Sequence, residues 1–129
     1  MAETVSHNPS TGIYPATDDY IHAIEVRNAT RTLYVSGTMG LDISGRPAEG
    51  LQAQLELIWA NIKTILASAD MGIENIVRIT SYMRDGDYAS ANEAARLRAL
   101  GGHRVPTTAL VAQTLSDDWL VEVEIIAAD

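Results

Sequence analysis

Between Leu51 and Ala69 the apolar residues recur at spacings of four and three: Leu51, Leu55, Ile58, Ile62, Ile65 and Ala69, with Trp59 and Leu66 widening the stripe. That period is helical, and Gln52, Glu56, Lys63 and Thr64 fall outside it. The spacing predicts an amphipathic helix, with Gly72 placed to follow its end. Trp59 sits on the edge of a core stripe, which favours packing over a ligand platform. Near the end of the chain the period is two. Val121, Val123 and Ile125 alternate with Leu120, Glu122, Glu124 and Ile126. A strand there puts three β-branched residues on one face and two carboxylates on the other.

The same reading supplies the intervening elements. Tyr20 to Val26 and Arg31 to Ser36 read as strands, joined at Asn28-Ala29-Thr30 as a hairpin. Ile76 to Arg84 reads as a strand. A second, Ala-rich helix over Tyr88 to Leu100 is capped by Asp87 and closes at Gly101-Gly102. Val105 to Gln113 and Trp119 to Ala127 complete the strands. Met1 to Asp19, rich in Thr, Asn, Pro, Gly and Asp, reads as a loop or short edge piece. The order strand, strand, helix, strand, helix, strand, strand is an α+β layout, one domain over residues 1–129. Two helices cover only one face of such a sheet. The other face is expected to carry Tyr20, His22, Ile24, Leu120 and Glu122 and to meet another subunit, with a pocket along the seam.

Composition narrows the function. Of 129 residues, 47 % are hydrophobic, enough for one core. The net charge of −8 and nine scattered Lys and Arg argue against nucleic acid or an anionic membrane as partner. With no cysteine there is no disulfide, thiol nucleophile or thiolate metal site. No secretory leader and no run of ~20 apolar residues is present, so a soluble, cytoplasmic protein is expected. The glycines at 37, 40, 45 and 50 fit no phosphate loop, and Ser36 no nucleophile elbow. His7, His22 and His103 share no ligand spacing, so no metal or other cofactor is expected. Glu122 and Glu124 lie roughly 7 Å apart on one strand face. That separation suits acid–base chemistry, and a solvated face accounts for it equally well.

Taken in order, several segments resemble the RidA family (YjgF/YER057c) of small reactive-imine deaminases. They are Tyr20-Ile21-His22-Ala23, Leu33-Tyr34-Val35-Ser36-Gly37, the long helix, Ile76 to Asp85, Tyr88-Ala89-Ser90-Ala91-Asn92, Pro106, and Val121-Glu122-Val123-Glu124. The resemblance implies a chorismate-mutase-like fold and a homotrimer with sheets inward, helices outward and three pockets between subunits. It implies pocket residues at Tyr20, Ser36, Gly37, Asn92 and Glu122. Family members acting on 2-aminoacrylate-type compounds carry an Arg two residues after the proline, where it grips the substrate carboxylate. Here that position is Thr108, and Leu110 replaces the polar residue two further on. Arg104 lies roughly 13 Å away along an extended strand and does not substitute. Arg31, or an Arg of a neighbouring subunit, is a candidate. The resemblance therefore implies hydrolysis of a small C=N compound with altered substrate, with Glu122 catalytic and Thr108 in the substrate site. A non-catalytic metabolite-binding protein on the same frame is the alternative. A ribonuclease, a role attached to relatives, is disfavoured by the acidic charge.

Overall fold

The computed structural model describes residues 2–129. Its strands are β1 (Glu3–His7), β2 (Ala23–Arg27), β3 (Thr32–Met39), β4 (Ile76–Met83), β5 (Thr107–Val111) and β6 (Val121–Ala128). Its helices are α1 (Leu51–Ser68) and α2 (Ala89–Leu100). The fold is α+β: two helices on one face of a mixed four-stranded sheet, ordered β3-β6-β4-β5, with only β4 and β5 parallel. Among the described residues, no helix is long and apolar enough to cross a membrane.

The helical stripe does what its period implies. Leu55, Ile58, Ile62 and Leu66 of α1 are fully buried against Ile79, Val121, Val123, Ile125 and Ala127 of the sheet. Each such side chain contributes roughly 1.5–3 kcal/mol on burial. Trp59 is buried in the same core, as packing required. Inside this layer Gln54 ties the connections together. Its amide nitrogen donates to the carbonyls of Ala48 and Asp118, and its oxygen accepts from the backbone N–H of Leu120. One polar residue on α1 thereby fixes where β6 begins.

Four expectations need correction. The hairpin of the second and third strands does not form: β2 pairs antiparallel with β1, in a separate two-stranded ribbon. Asn28 turns the chain at φ 58°, and the N–H groups of Thr30 and Arg31 both donate to the carbonyl of Asp129. The chain is thus handed to its own C-terminus, and β3 pairs with β6. Consequently Tyr20 and His22 do not lie on the open sheet face, and Ile24 and Leu120 pack against the core. Of the five residues expected on that face, Glu122 alone is there.

The ends of the helices also differ. The left-handed residue closing α1 is Asp70 (φ 55°), two before Gly72. Met71 N–H reaches the Leu66 carbonyl and Asp70 N–H that of Ala67, which is the paired bonding of a Schellman end. α2 starts from Tyr88 with no side-chain cap, and Asp85 instead caps the 3₁₀ turn Gly86–Tyr88 before it by accepting from the N–H of Asp87. An aspartate readily bonds the backbone two residues on, and this forestalls Asp87 as cap.

Candidate active site

The sheet has two unlike faces because β4 and β6 alternate in step. Val121, Val123, Ile125, Ile79, Ser81 and Met83 point under the helices and are buried. The open face is a grid set by register. Thr108, Thr80 and Glu124 stand in one row, Leu110, Tyr82 and Glu122 in the next, and Ile126 lies between Arg78 and Tyr34. Tyr34 is largely exposed and Glu122 and Glu124 are half-buried.

Glu122 is held by an irregularity in β3. Val35 pairs with Ile125 and Thr38 with Val123, so Ser36 and Gly37 together face the single residue Glu124. This is a β-bulge, a device that bends a strand and re-aims its neighbours. It keeps both Val35 and Thr38 buried while drawing the Gly37 backbone against the Glu122 carboxylate. A Cβ on Gly37 would lie 1.8 Å from Glu122 Oε2, so only glycine leaves the carboxylate where it is. Burial, and then the charge of Glu124, push the Glu122 carboxyl above its ordinary range. Glu124 accepts a short hydrogen bond from the Tyr82 hydroxyl. That bond, with burial and the nearby carboxylates, raises the Tyr82 phenol and keeps it a donor. The face therefore holds two coupled carboxyls in unlike settings, one leaning towards its protonated form, as acid–base chemistry requires.

Two pockets flank Glu124. One, of about 360 Å³, is lined by Tyr82, Glu122, Glu124 and residues 112–115. Arg84 shapes its rim by donating to the carbonyl and hydroxyl of Thr114 and pairing with Asp117. The other, of about 220 Å³, is lined by Tyr34, Arg78, Thr80, Glu124 and Ile126. Arg78 Nη2 donates to Thr108 Oγ1 at 2.7 Å.

The structure brings some expected site residues together and leaves others apart. Gly37 touches Glu122, and Ser36 lies beside Gly37 in the bulge. Thr108 is two strands from β6 and meets Arg78. Tyr20 and Asn92 form a second group at the helix layer. Asn92 is buried on α2 with Oδ1 unpartnered, one turn before Arg96. Arg96 in turn clamps the carboxylate and carbonyl of Asp19, next to Tyr20. Burial alone would raise the Asp19 carboxyl, but Thr17 and Arg96 outweigh it and hold it below its ordinary range. Arg31 is spent on Asp129 and the Ala69 carbonyl, and Arg104 on the carbonyls of Asp18 and Gly101. Sequence reasoning missed Arg78 and Tyr82. Their shared parity with Thr80, opposite to Ile79 and Ser81, was the available signal.

Comparison with known proteins settles the kinship. The model of the family described as Endoribonuclease L-PSP matches residues 12–129. The chain belongs to the RidA family. It is 33 % identical over 106 residues to the RutC family protein UK114 of Drosophila melanogaster, covering 77 % of this chain and 73 % of that protein. A RutC family protein of Pyrococcus abyssi is 31 % identical over 111 residues, covering 84 % of each. Among solved structures, a conserved Rid family protein of Yersinia pestis superposes with a TM-score of 0.84 at 25 % identity, over 98 % of both chains. Yeast Mmf1 superposes at 0.72 with 23 % identity, a likeness of fold. The RidA-family chain thus has its relatives' architecture, with the bulge at Ser36-Gly37 and the carboxyl pair on its open sheet face.

Proposed function

We propose that this RidA-family chain hydrolyses a small reactive imine or enamine, releasing ammonia. The supporting observation is Glu122, a carboxyl raised by burial and by Glu124 and seated against the bare backbone of Gly37. In its ionised form Glu122 takes a proton from water as the oxygen attacks the carbon of the protonated imine, giving a neutral carbinolamine. The same carboxyl returns that proton to nitrogen and, as the C–N bond breaks and ammonia leaves, takes the proton of the carbinolamine hydroxyl, giving the carbonyl product. The backbone at Gly37 and the side of Thr108 bind the polar end of the substrate. Ser36 is placed to hydrogen-bond it.

The site is completed in a homotrimer whose open sheet faces line the inside. Tyr20 and Asn92, which each chain holds away from its own Glu122, then close the pocket from a neighbouring subunit. Light scattering at micromolar concentration should give about three times 13.9 kDa, and a monomer would remove this part of the reading. The chemistry is tested by following ammonia release from a panel of small enamines with wild type and Glu122→Gln. Turnover no faster than the spontaneous rate would sink it. Recovery of a bound metabolite that emerges unchanged would favour a binding protein, a reading motivated by Thr108 standing at the position of the family's arginine.

A further inference from the structure

Tyr82 stands directly opposite Glu122 in the register of β4 with β6, yet its hydroxyl donates to Glu124, the next residue along β6 on the same face. A diagonal pair of this kind is within reach of an aromatic side chain. Glu122 turns the other way: its Oε2 sits where a Cβ on Gly37 of β3 would be. The two carboxyls, roughly 7 Å apart at their Cβ atoms, therefore look to opposite neighbours. Glu124 has a phenol as donor. Glu122 meets bare backbone, and what acts on it is burial and the charge of Glu124. Among the described residues, no other side chain donates to either carboxyl. Arg78 of β4 is turned to Thr108, and Arg84 at the rim is taken up by Thr114 and Asp117. Tyr34 of β3 is largely exposed and stands across from Ile126, while Thr108 and Leu110 of β5 bear no charge. Two neighbouring carboxyls titrate as a pair, and the first proton taken up goes to the one whose anion is held less well.

We propose that Tyr82 is a positioning residue of the reaction: by bonding Glu124 it holds that carboxylate as the fixed anion of the pair and assigns the moving proton to Glu122. Tyr82 and both carboxyls line the same pocket of about 360 Å³, so the assignment is made where the substrate binds. With the phenol in place, the proton that Glu122 takes from water stays on Glu122 until it passes to nitrogen. Without it, Glu124 offers that proton a second resting place, away from the Gly37 backbone. This deepens the imine-hydrolase reading and rests on it for the claim that the proton moves during turnover. The assignment of the proton itself rests on the three side chains alone.

The proton can be followed directly. The side-chain carboxyl carbons of Glu122 and Glu124 are titrated by ¹³C NMR in the intact protein, with Glu122→Gln and Glu124→Gln to assign them. In wild type the first proton taken up as pH falls is expected on Glu122, by more than ~10-fold over Glu124. Tyr82→Phe removes only the hydroxyl. It should lower that ratio by roughly 10-fold, the advantage that one hydrogen bond gives to an anion. An unchanged ratio in Tyr82→Phe, or a first proton shared equally in wild type, would overturn the proposal. Wild type alone supplies a second check, which stands even if Tyr82→Phe folds poorly. The Tyr82 Cζ resonance should move with the Glu124 step and not with the Glu122 step, and the opposite order would count against it. In turnover, Tyr82→Phe should lower kcat by about 3–10-fold with KM nearly unchanged, and a kcat equal to wild type would remove Tyr82 from the reaction. If wild type releases no ammonia while the proton ratio still falls in Tyr82→Phe, the hydrolase reading fails and the assignment of the proton stands. If turnover holds while the ratio is unmoved, the role of Tyr82 alone fails.

Discussion

The two faces of the four-stranded sheet are built from the same strands and share almost nothing else. Under the helices, Val121, Val123, Ile125, Ile79 and Met83 form an apolar layer closed to water. On the other side, one residue along each strand, stand Arg78, Thr80, Tyr82, Glu122 and Glu124. Neighbouring positions therefore answer to different demands: one parity carries the apolar core, the other carries charge and hydrogen bonding. The lesson is that the polar parity of β4 and β6 is left open rather than merely exposed. Burial pushes the Glu122 carboxyl upward, and the phenol of Tyr82 is bound to Glu124. A solvated face would do neither.

The sharpest way to break this contrast is to truncate one residue on each face of the paired strands. Ile125→Ala should destabilise by about 2–5 kcal/mol, since it empties a site that is 1 % exposed. Thr80→Ala, on the open face, should stay within about 0.5 kcal/mol. Urea denaturation of both variants checks the pair, and equal losses would erase the distinction.

A smaller effect separates two glycines of the same region. A Cβ on Gly40 would meet the backbone of Gln54 at 2.5 Å, where nothing can swing aside, so Gly40→Ala should destabilise by about 1–3 kcal/mol. A Cβ on Gly37 meets the far end of the Glu122 side chain, which can rotate away. Gly37→Ala should leave the denaturation midpoint nearly unchanged and lower ammonia release by displacing the carboxylate. The reverse pattern would mean that the bulge serves folding alone.

The smallest effect is a pH signature. Glu122 in the folded protein holds its proton more tightly than in the unfolded chain, where its ordinary value is 4.5. Its contribution to stability is thus greatest below that value and declines as pH rises through the folded one. Glu122→Gln should therefore melt slightly above wild type at pH 7, and the difference should close towards pH 4. A variant that melts lower at pH 7 would show the carboxylate to be a structural anion.

Much of this was legible in the chain. The period of α1 and the alternation of β6 located both helix layer and carboxyl pair, because each is a local pattern with a physical period. Partner choice was not local. Whether β2 pairs with β1 or β3 is decided by a turn at Asn28 and by hydrogen bonds from Thr30 and Arg31 to Asp129, about 100 residues downstream. The ribbon strand Glu3–His7 was invisible for a related reason: it is short and mostly exposed, so it carries little apolar signal. The open-face position of Glu122 follows from the alternation of β6, while Ser36 and Gly37 were expected as pocket residues through the family resemblance, and the structure sets Gly37 against Glu122. Arg78 was not legible, because its approach to Thr108 crosses 30 residues and depends on the parallel pairing of β4 with β5.

The most direct test of the account measures chemistry and folding together on Glu122→Gln. Ammonia release from a small enamine substrate and the thermal midpoint are read on the same preparation. The account predicts a rate lower by about 10²–10⁴-fold, the range for a removed acid–base group, with the midpoint held or raised at neutral pH. A rate equal to wild type, or a rate that falls only as the fold is lost, would contradict it.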